Sequence, residues 1–490
     1  MNLTRRKFLA AAFISTTFIL VITACASTPV APATSQSAAA KSPTATPVPP
    51  KPLTMTPSHA TVGTQVSATA SGLPPGAIVN LTWKTVTGGW VINDYYHFGG
   101  KKFSDTSQPL GQAAVDSNGQ LNTQFTIPED YGGIHDVIAS VNGVPVAQGG
   151  AEVTASFEMS PTEGPVGTVI EIRAKGLGWR TMESTWEMNW DDREVGWISA
   201  VNTRGTAVAR VRAAGPVGNH IIKLYTGYMG ESYLNYEQAP TSYLPRPQFV
   251  FHTLPGGQVQ SAYAEPYPSL PVQPSTSPIG AQLTLSPMQG PVGTTARLTG
   301  NSLPANQSLS VTWETWVGSR VTQEGFTSSE KTLAPVMVNA EGKLDTAINI
   351  PDDLGGQHAL VLKANGKEVA RAYFTIETSI VSISPTSGPA GTNVTIHLKG
   401  VGWTEYDNIY VATYDNAYMG YACGFNSQGD VVIHFTASGA PGTHLIDLYP
   451  GIYEGPSDGQ QLYRLPQLTY ADDHPGNKIP ALRFAFEITQ

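Results

Sequence analysis

The sequence predicts an all-β chain of four tandem antiparallel β-sandwiches in an A-B-A′-B′ array. Three observations carry this. One motif recurs four times: LTMTPSHATVGTQV from Leu53, FEMSPTEGPVGTVI from Phe157, LTLSPMQGPVGTTA from Leu283 and VSISPTSGPAGTNV from Val381. In each, a proline and a Gly-Thr glycine stand at one spacing (Pro57/Gly63, Pro161/Gly167, Pro287/Gly293, Pro385/Gly391), and Leu73, Leu177, Leu303 or Val401 follows at another. Self-similarity at fixed spacing is the signature of a repeat architecture. Second, segments such as NVTIHLKG alternate apolar and polar residues, the period of a half-buried strand. Third, the 49 glycines and 38 prolines supply many turns, and no amphipathic helix is evident.

The elements follow in chain order. Residues 1–25 read as a signal peptide: Arg5, Arg6 and Lys7, an apolar run, then small residues before Cys25. TRRKFLA resembles a twin-arginine export signal carried by Arg5 and Arg6, and ITAC resembles the lipobox of bacterial lipoproteins. The resemblance implies cleavage before Cys25, its lipidation, and a cell membrane anchor facing the extracytoplasmic side. Residues 26–52 are Pro/Ala/Thr-rich and predict a disordered stalk. Modules A and B span 53–155 and 156–254. Residues 255–280 read as a Pro/Ser/Gln linker and flexible joint, and modules A′ and B′ span 281–377 and 378–490. Within a module, proline ends the first strand because it lacks a donor. Asn142-Gly143 and Asn365-Gly366 predict type I′ hairpin turns.

SISPTSGPAGTNVTIHLKGVGW, Ser382 to Trp403, resembles the start of an IPT/TIG domain, an immunoglobulin-like module, and Ser160 to Trp179 matches nearly as well. The Leu53 and Leu283 copies are looser. The resemblance covers the first part of each unit and implies four immunoglobulin-like sandwiches; it implies no function. Modules B and B′ align without a gap at an offset of 224 residues.

The stretch WEMNWDDREVGW, Trp186 to Trp197, concentrates aromatic and charged side chains. Its counterpart is YVATYDNAYMGY, Tyr410 to Tyr421. Trp186, Tyr410, Trp83 and Trp313 fall where an Ig-like sandwich places a core aromatic on its third strand. Trp190 and Tyr414 share their parity. Asp191 and Asp415 fall in the turn, and Trp197 and Tyr421 return beside Trp190 and Tyr414. Two readings stand: a hairpin with a core aromatic ladder, or a ligand-binding edge of rings and a carboxylate. Aromatic rings suit sugar faces. A catalytic carboxylate pair is disfavoured, because adjacent turn residues diverge and Asp192 becomes Asn416.

Both B modules also carry long tyrosine loops, with Tyr228 and Tyr233 in one and Tyr453 in the other. Long loops in compact domains are commonly functional. The candidate ligand-binding residues are therefore Trp190, Asp191, Trp197, Tyr228, Tyr233, Tyr414, Asp415, Tyr421 and Tyr453. The insertion Gly88 to Gly100 in module A is a further aromatic contact site. His135, His220, His358 and His444 share one context, two residues after a glycine, and read as a fold feature. No cofactor or metal motif is present.

Net charge is −9, and −12 without Arg5, Arg6 and Lys7, which argues against nucleic acid. Cys25 and Cys423 are the two cysteines, so no disulfide framework forms once Cys25 is lipidated. The expected role is a non-catalytic binding or adhesion array at the cell surface, its ligand a glycan or protein. The alternatives are a structural spacer in the envelope and, third, an extracellular enzyme.

Overall fold

Four Ig-like sandwiches follow one another along the chain. The structure, a computed structural model, describes residues 49–93, 97–226, 232–268, 273–319, 325–425, 427–453, 464–476 and 479–490. Arg5, Arg6, Cys25 and Tyr228 lie outside the described residues. Module B shows the plan. A three-stranded sheet (Ser156–Ser160, Val169–Lys175, Ala207–Arg212) faces a five-stranded one. The larger sheet runs in the order Glu163–Pro165, Gln248–Leu254, Gly218–Thr226, Thr185–Trp190, Arg193–Ser199. The other three modules repeat this order, and modules A and B′ each add a strand to the larger sheet. The repeated motif is the crossing between sheets. Its proline follows a cis peptide bond in all four copies, and Gly63, Gly167, Gly293 and Gly391 all have positive φ. Only glycine adopts that conformation without steric cost, which accounts for the fixed proline-to-glycine spacing.

The cores sit between the sheets. Trp83, Trp186, Trp313 and Tyr410 are fully buried, as their spacing predicts. Each buried Leu, Ile or Phe around them contributes roughly 1.5–3 kcal/mol. Both Asn-Gly pairs have positive φ at both residues, the type I′ geometry, and so do Asp191-Asp192 and Asp415-Asn416. Among the described residues the helical content is one turn, Tyr470–Asp473, and a 3₁₀ turn, Tyr236–Gln238. No described helix is long and apolar enough to cross a membrane.

Two segments differ from the reading by composition. Lys51 and Pro52, assigned to the stalk, pair in parallel with Ala147 and Gln148 and open the first sandwich. The 255–280 stretch is not a free joint. Ala262–Ala264 forms a strand against Leu482–Phe484 of module B′, and Thr276 bridges Arg371 of module A′. Composition reports solubility, whereas pairing depends on an open sheet edge elsewhere in the chain.

The modules also pack side by side. The apolar core of module B takes in Tyr449, Leu468, Tyr470 and Ala481 of module B′. At that contact Arg212 and Asp447, both nearly inaccessible, lie 2.6 Å apart, and Arg483 stands 3.4 Å from the same carboxylate. Arg483 is in turn 2.7 Å from Glu265 of the 255–280 segment, and Tyr470 donates its hydroxyl hydrogen to Glu265. The two cations and two anions balance, which is the condition for burying charge.

Candidate functional site

The WEMNWDDREVGW hairpin is core. Trp186, Met188 and Trp190 face the sandwich interior from strand Thr185–Trp190. Trp197 does not return beside Trp190. It pairs across from Glu187, so it points to the opposite face of the sheet. There it joins Phe98, Ile452, Trp90 and Leu465, and its indole N–H donates to the Leu465 carbonyl at 3.1 Å. The edge of strand Arg193–Ser199 is covered by module B′: Trp197 N–H donates to Pro466 O, and Leu468 N–H to Trp197 O, both at 2.8 Å. In module B′ the equivalent Tyr421 is 44% exposed, against 0% for Trp197. Its ring meets that of Tyr453 at 6.1 Å.

Asp191 and Asp415 are clamps for the repeated histidines. Asp191 Oδ2 lies 2.6 Å from His220 Nδ1, and its Oδ1 accepts from Ile221 N–H at 2.8 Å. Asp415 repeats this with His444 at 2.6 Å and Leu445 N–H at 2.9 Å. His220 stacks on Trp190 and His444 on Tyr414. In the A modules a carbonyl replaces the carboxylate: His135 meets Lys84 O and stacks on Trp83, while His358 meets Glu314 O and stacks on Trp313. In all four modules Nε2 faces the carbonyl four residues earlier. The histidines are a feature of the fold, as their shared context predicts. A ring with acceptors at both nitrogens donates to both only when doubly protonated. Burial pushes His358 below the ordinary histidine value, whereas the Asp415 carboxylate holds His444 above it. Trp190, Asp191, Tyr414 and Asp415 thus serve packing and clamping.

The insertion in module A is a contact between modules. Trp90 donates its indole hydrogen to the Asp473 carbonyl at 3.1 Å and to its carboxylate at 3.2 Å. That carboxylate also accepts from Ser199 Oγ at 2.6 Å, Val201 N–H at 2.8 Å and Asn202 N–H at 2.7 Å. Asp473 therefore ties modules A, B and B′ at one point, and burial pushes its pKa up to about 6.

The remaining tyrosines line loops. Arg246 lies over the Tyr236 ring at 3.9 Å and donates to the Tyr233 carbonyl at 2.7 Å, which orders the loop of module B. Arg464 lies over Tyr453 at 5.4 Å. Tyr243 stands 65% exposed and donates its hydroxyl hydrogen to Glu183.

That loop roofs a cleft of about 500 Å³ at the junction of modules A and B. Gly133, Ile134, Arg180, Glu183 and Tyr243 line it, and Glu183 is ion-paired with Arg180 at 3.1 Å. A second cleft, of about 430 Å³, opens at the same place between A′ and B′. Gly356, Gln357, Thr404 and Asp407 stand there where the first has Gly133, Ile134, Arg180 and Glu183. Both junctions are pinned alike, by Gly132 N–H to Leu177 O and Gly355 N–H to Val401 O, each at 2.9 Å. Trp316 of A′ stacks on Trp403 of B′ with centroids 4.0 Å apart. Asp407 accepts from Thr404 N–H at 2.6 Å, and burial pushes its pKa up to about 7. The clefts did not emerge from motif reading. The available signal was the repeat of WRxxE at Trp179 as WTxxD at Trp403, a carboxylate kept at a fixed place in both B modules.

No protein-family model and no curated protein matches the chain. Similar solved structures include Escherichia coli alpha-2-macroglobulin activated by porcine elastase (9% identity, 81% of this chain and 42% of that one, TM-score 0.15). The ICAM-5 D1–D4 ectodomain fragment matches at 13% identity (84% and 96%, TM-score 0.17), and a marsupial T cell receptor at 12% (60% and 96%, TM-score 0.16). The chain spans under half the length of the macroglobulin.

Proposed function

We propose that the chain is a surface-anchored bacterial lipoprotein acting as a non-catalytic binding array, whose ligand is a glycan or a protein. The observation that carries this reading is the pair of clefts at equivalent A-to-B junctions, one roofed by the exposed Tyr243 loop. Concave sites at domain interfaces with a few convergent polar groups are the usual form of binding sites. The anchor is lipid on Cys25, after export directed by Arg5 and Arg6. A non-catalytic role fits the equivalent carboxylates of the two clefts: Glu183 is committed to Arg180 and Tyr243, and Asp407 accepts from the Thr404 amide.

The test is retention of the full-length chain on isolated cell wall and on a glycan array, beside Tyr243→Ala and Cys25→Ser. Saturable retention weakened by Tyr243→Ala supports the binding array, and movement of Cys25→Ser from the membrane to the soluble fraction supports the anchor. No retention on either material, with Tyr243→Ala melting as the parent does, would leave the spacer reading in its place.

A further inference from the structure

The two junction clefts share one plan and differ in charge. In the A–B cleft Arg180 neutralises Glu183, and Glu152 also lines the cleft. In the A′–B′ cleft Thr404 replaces the arginine and Asp407 replaces the glutamate. Arg371, the partner of the lining residue Glu314, is shared: it lies 3.2 Å from Glu314 and 2.6 Å from Glu368.

We propose that the A′–B′ cleft is a binding site for a neutral saccharide, an inference that rests on the binding-array reading. Three properties of the cleft select that chemistry. Its apolar wall is aromatic: Trp403 is buried with one face covered by Trp316, and the ring surface left open on half-buried Trp316 and Tyr373 supplies apolar area to the C–H face of a sugar. Its polar wall offers amide and carboxylate groups, Gln273, Gln357 and Glu314, which pair with hydroxyls as both donors and acceptors. Its lining is acidic, with Glu314 and Asp407, and Glu314 shares Arg371 with Glu368. An anion meets carboxylates, with no basic side chain among the described lining residues. A cation finds Glu314 already paired with Arg371 and Asp407 raised toward neutrality by burial. A volume of about 430 Å³ lies within the roughly 300–1,000 Å³ range of small-ligand sites. Gly356 lines the cleft at φ +97°, a conformation that side chains rarely adopt, so the backbone itself calls for glycine there.

The experiment titrates the full-length chain with neutral mono- and oligosaccharides while following tryptophan emission, since Trp316 and Trp403 line the cleft. Glucuronate and choline serve as charged comparators. Gln357→Ala removes one polar contact from a half-buried position of module A′, and Val432→Ala, at an exposed strand position of module B′, is the control. The expected result is a saturable change with at least one neutral sugar, weakened tenfold or more by Gln357→Ala and unchanged by Val432→Ala, with all three proteins melting alike. Retention on cell wall without any sugar response overturns the cleft assignment and leaves the binding array standing. Loss of both overturns the two together. Saturation by choline or glucuronate alone overturns the ligand class, and a sugar response untouched by Gln357→Ala overturns the location.

Discussion

Trp197→Ala and Tyr421→Ala remove side chains from equivalent places in duplicated modules, and the structure assigns them very different costs. Trp197 is fully buried where three modules meet, and its loss opens a cavity there. Large-to-small changes of this kind cost about 3–5 kcal/mol. The Leu465 carbonyl that accepts the indole hydrogen is left without that donor, which places the variant toward the upper part of that range. Tyr421 keeps 44% of its surface in water and meets one ring, Tyr453. An aromatic pair contributes roughly 0.5–1.5 kcal/mol beyond area burial, and the covered half of the side chain adds about 1 kcal/mol, so its loss costs about 2 kcal/mol. The difference is about 3 kcal/mol. With a urea slope of about 2 kcal/mol/M, the Trp197→Ala midpoint falls about 1.5 M below that of Tyr421→Ala. Far-UV circular dichroism in urea measures it. Equal midpoints, or a lower one for Tyr421→Ala, would refute the claim that module B′ seals the edge of module B.

Three further outcomes are expected. Asp447→Ala leaves Arg212 and Arg483 buried beside a missing anion, and it should cost about 3–5 kcal/mol by thermal or chemical unfolding; a loss under 1 kcal/mol would contradict the charge balance described. Asp407→Asn should change the pH dependence of stability. The folded pKa, about 7, lies above the ordinary carboxylate value, so the contribution of Asp407 to stability is greatest at low pH and falls as pH rises from about 4 to 7. The Asn variant lacks that fall, so its Tm relative to the parent should rise between pH 5 and pH 8. By NMR, His444 should titrate above free histidine and His358 below it. The His444 clamp then stabilises below the free-histidine value and weakens as pH rises through its own, whereas His358 costs stability as pH falls below the free value. Titration in the reverse order would reject the assignment.

The fold was legible because its signals are local. Pro161 and Gly167 mark a crossing whatever surrounds them, and Trp186 sits at a fixed distance beyond. The histidine positions were legible for the same reason. Trp197 was not. Its face follows from the register against Glu187, and its burial from Leu465, Phe98 and Ile452, residues far away in the chain. Asp191 is an exposed turn residue, as its neighbours suggest, but its histidine partner arrives from another strand and so was not readable. The clefts were invisible for a further reason: each is the gap between two bodies, so neither module alone carries it. The fixed carboxylate at Glu183 and Asp407 was readable, but what surrounds it depends on the angle at which one sandwich meets the next.

The strand Ala262–Ala264 has a consequence for how the chain is put together. It precedes module A′ and is hydrogen-bonded to Leu482–Phe484, which follows nearly everything else. Module A′ is therefore an insertion inside module B′, bracketed by strands of its host. Module B likewise completes its edge only when Pro466 to Leu468 have arrived. During synthesis Trp197 stays uncovered until Pro466 to Leu468 are delivered. The modules read as beads on a string, but the string is laced back through them. Cutting between B and A′, or transplanting A′ to another chain, would unpick two sandwiches at once. Descent and engineering alike must handle the doubled pair as one indivisible piece.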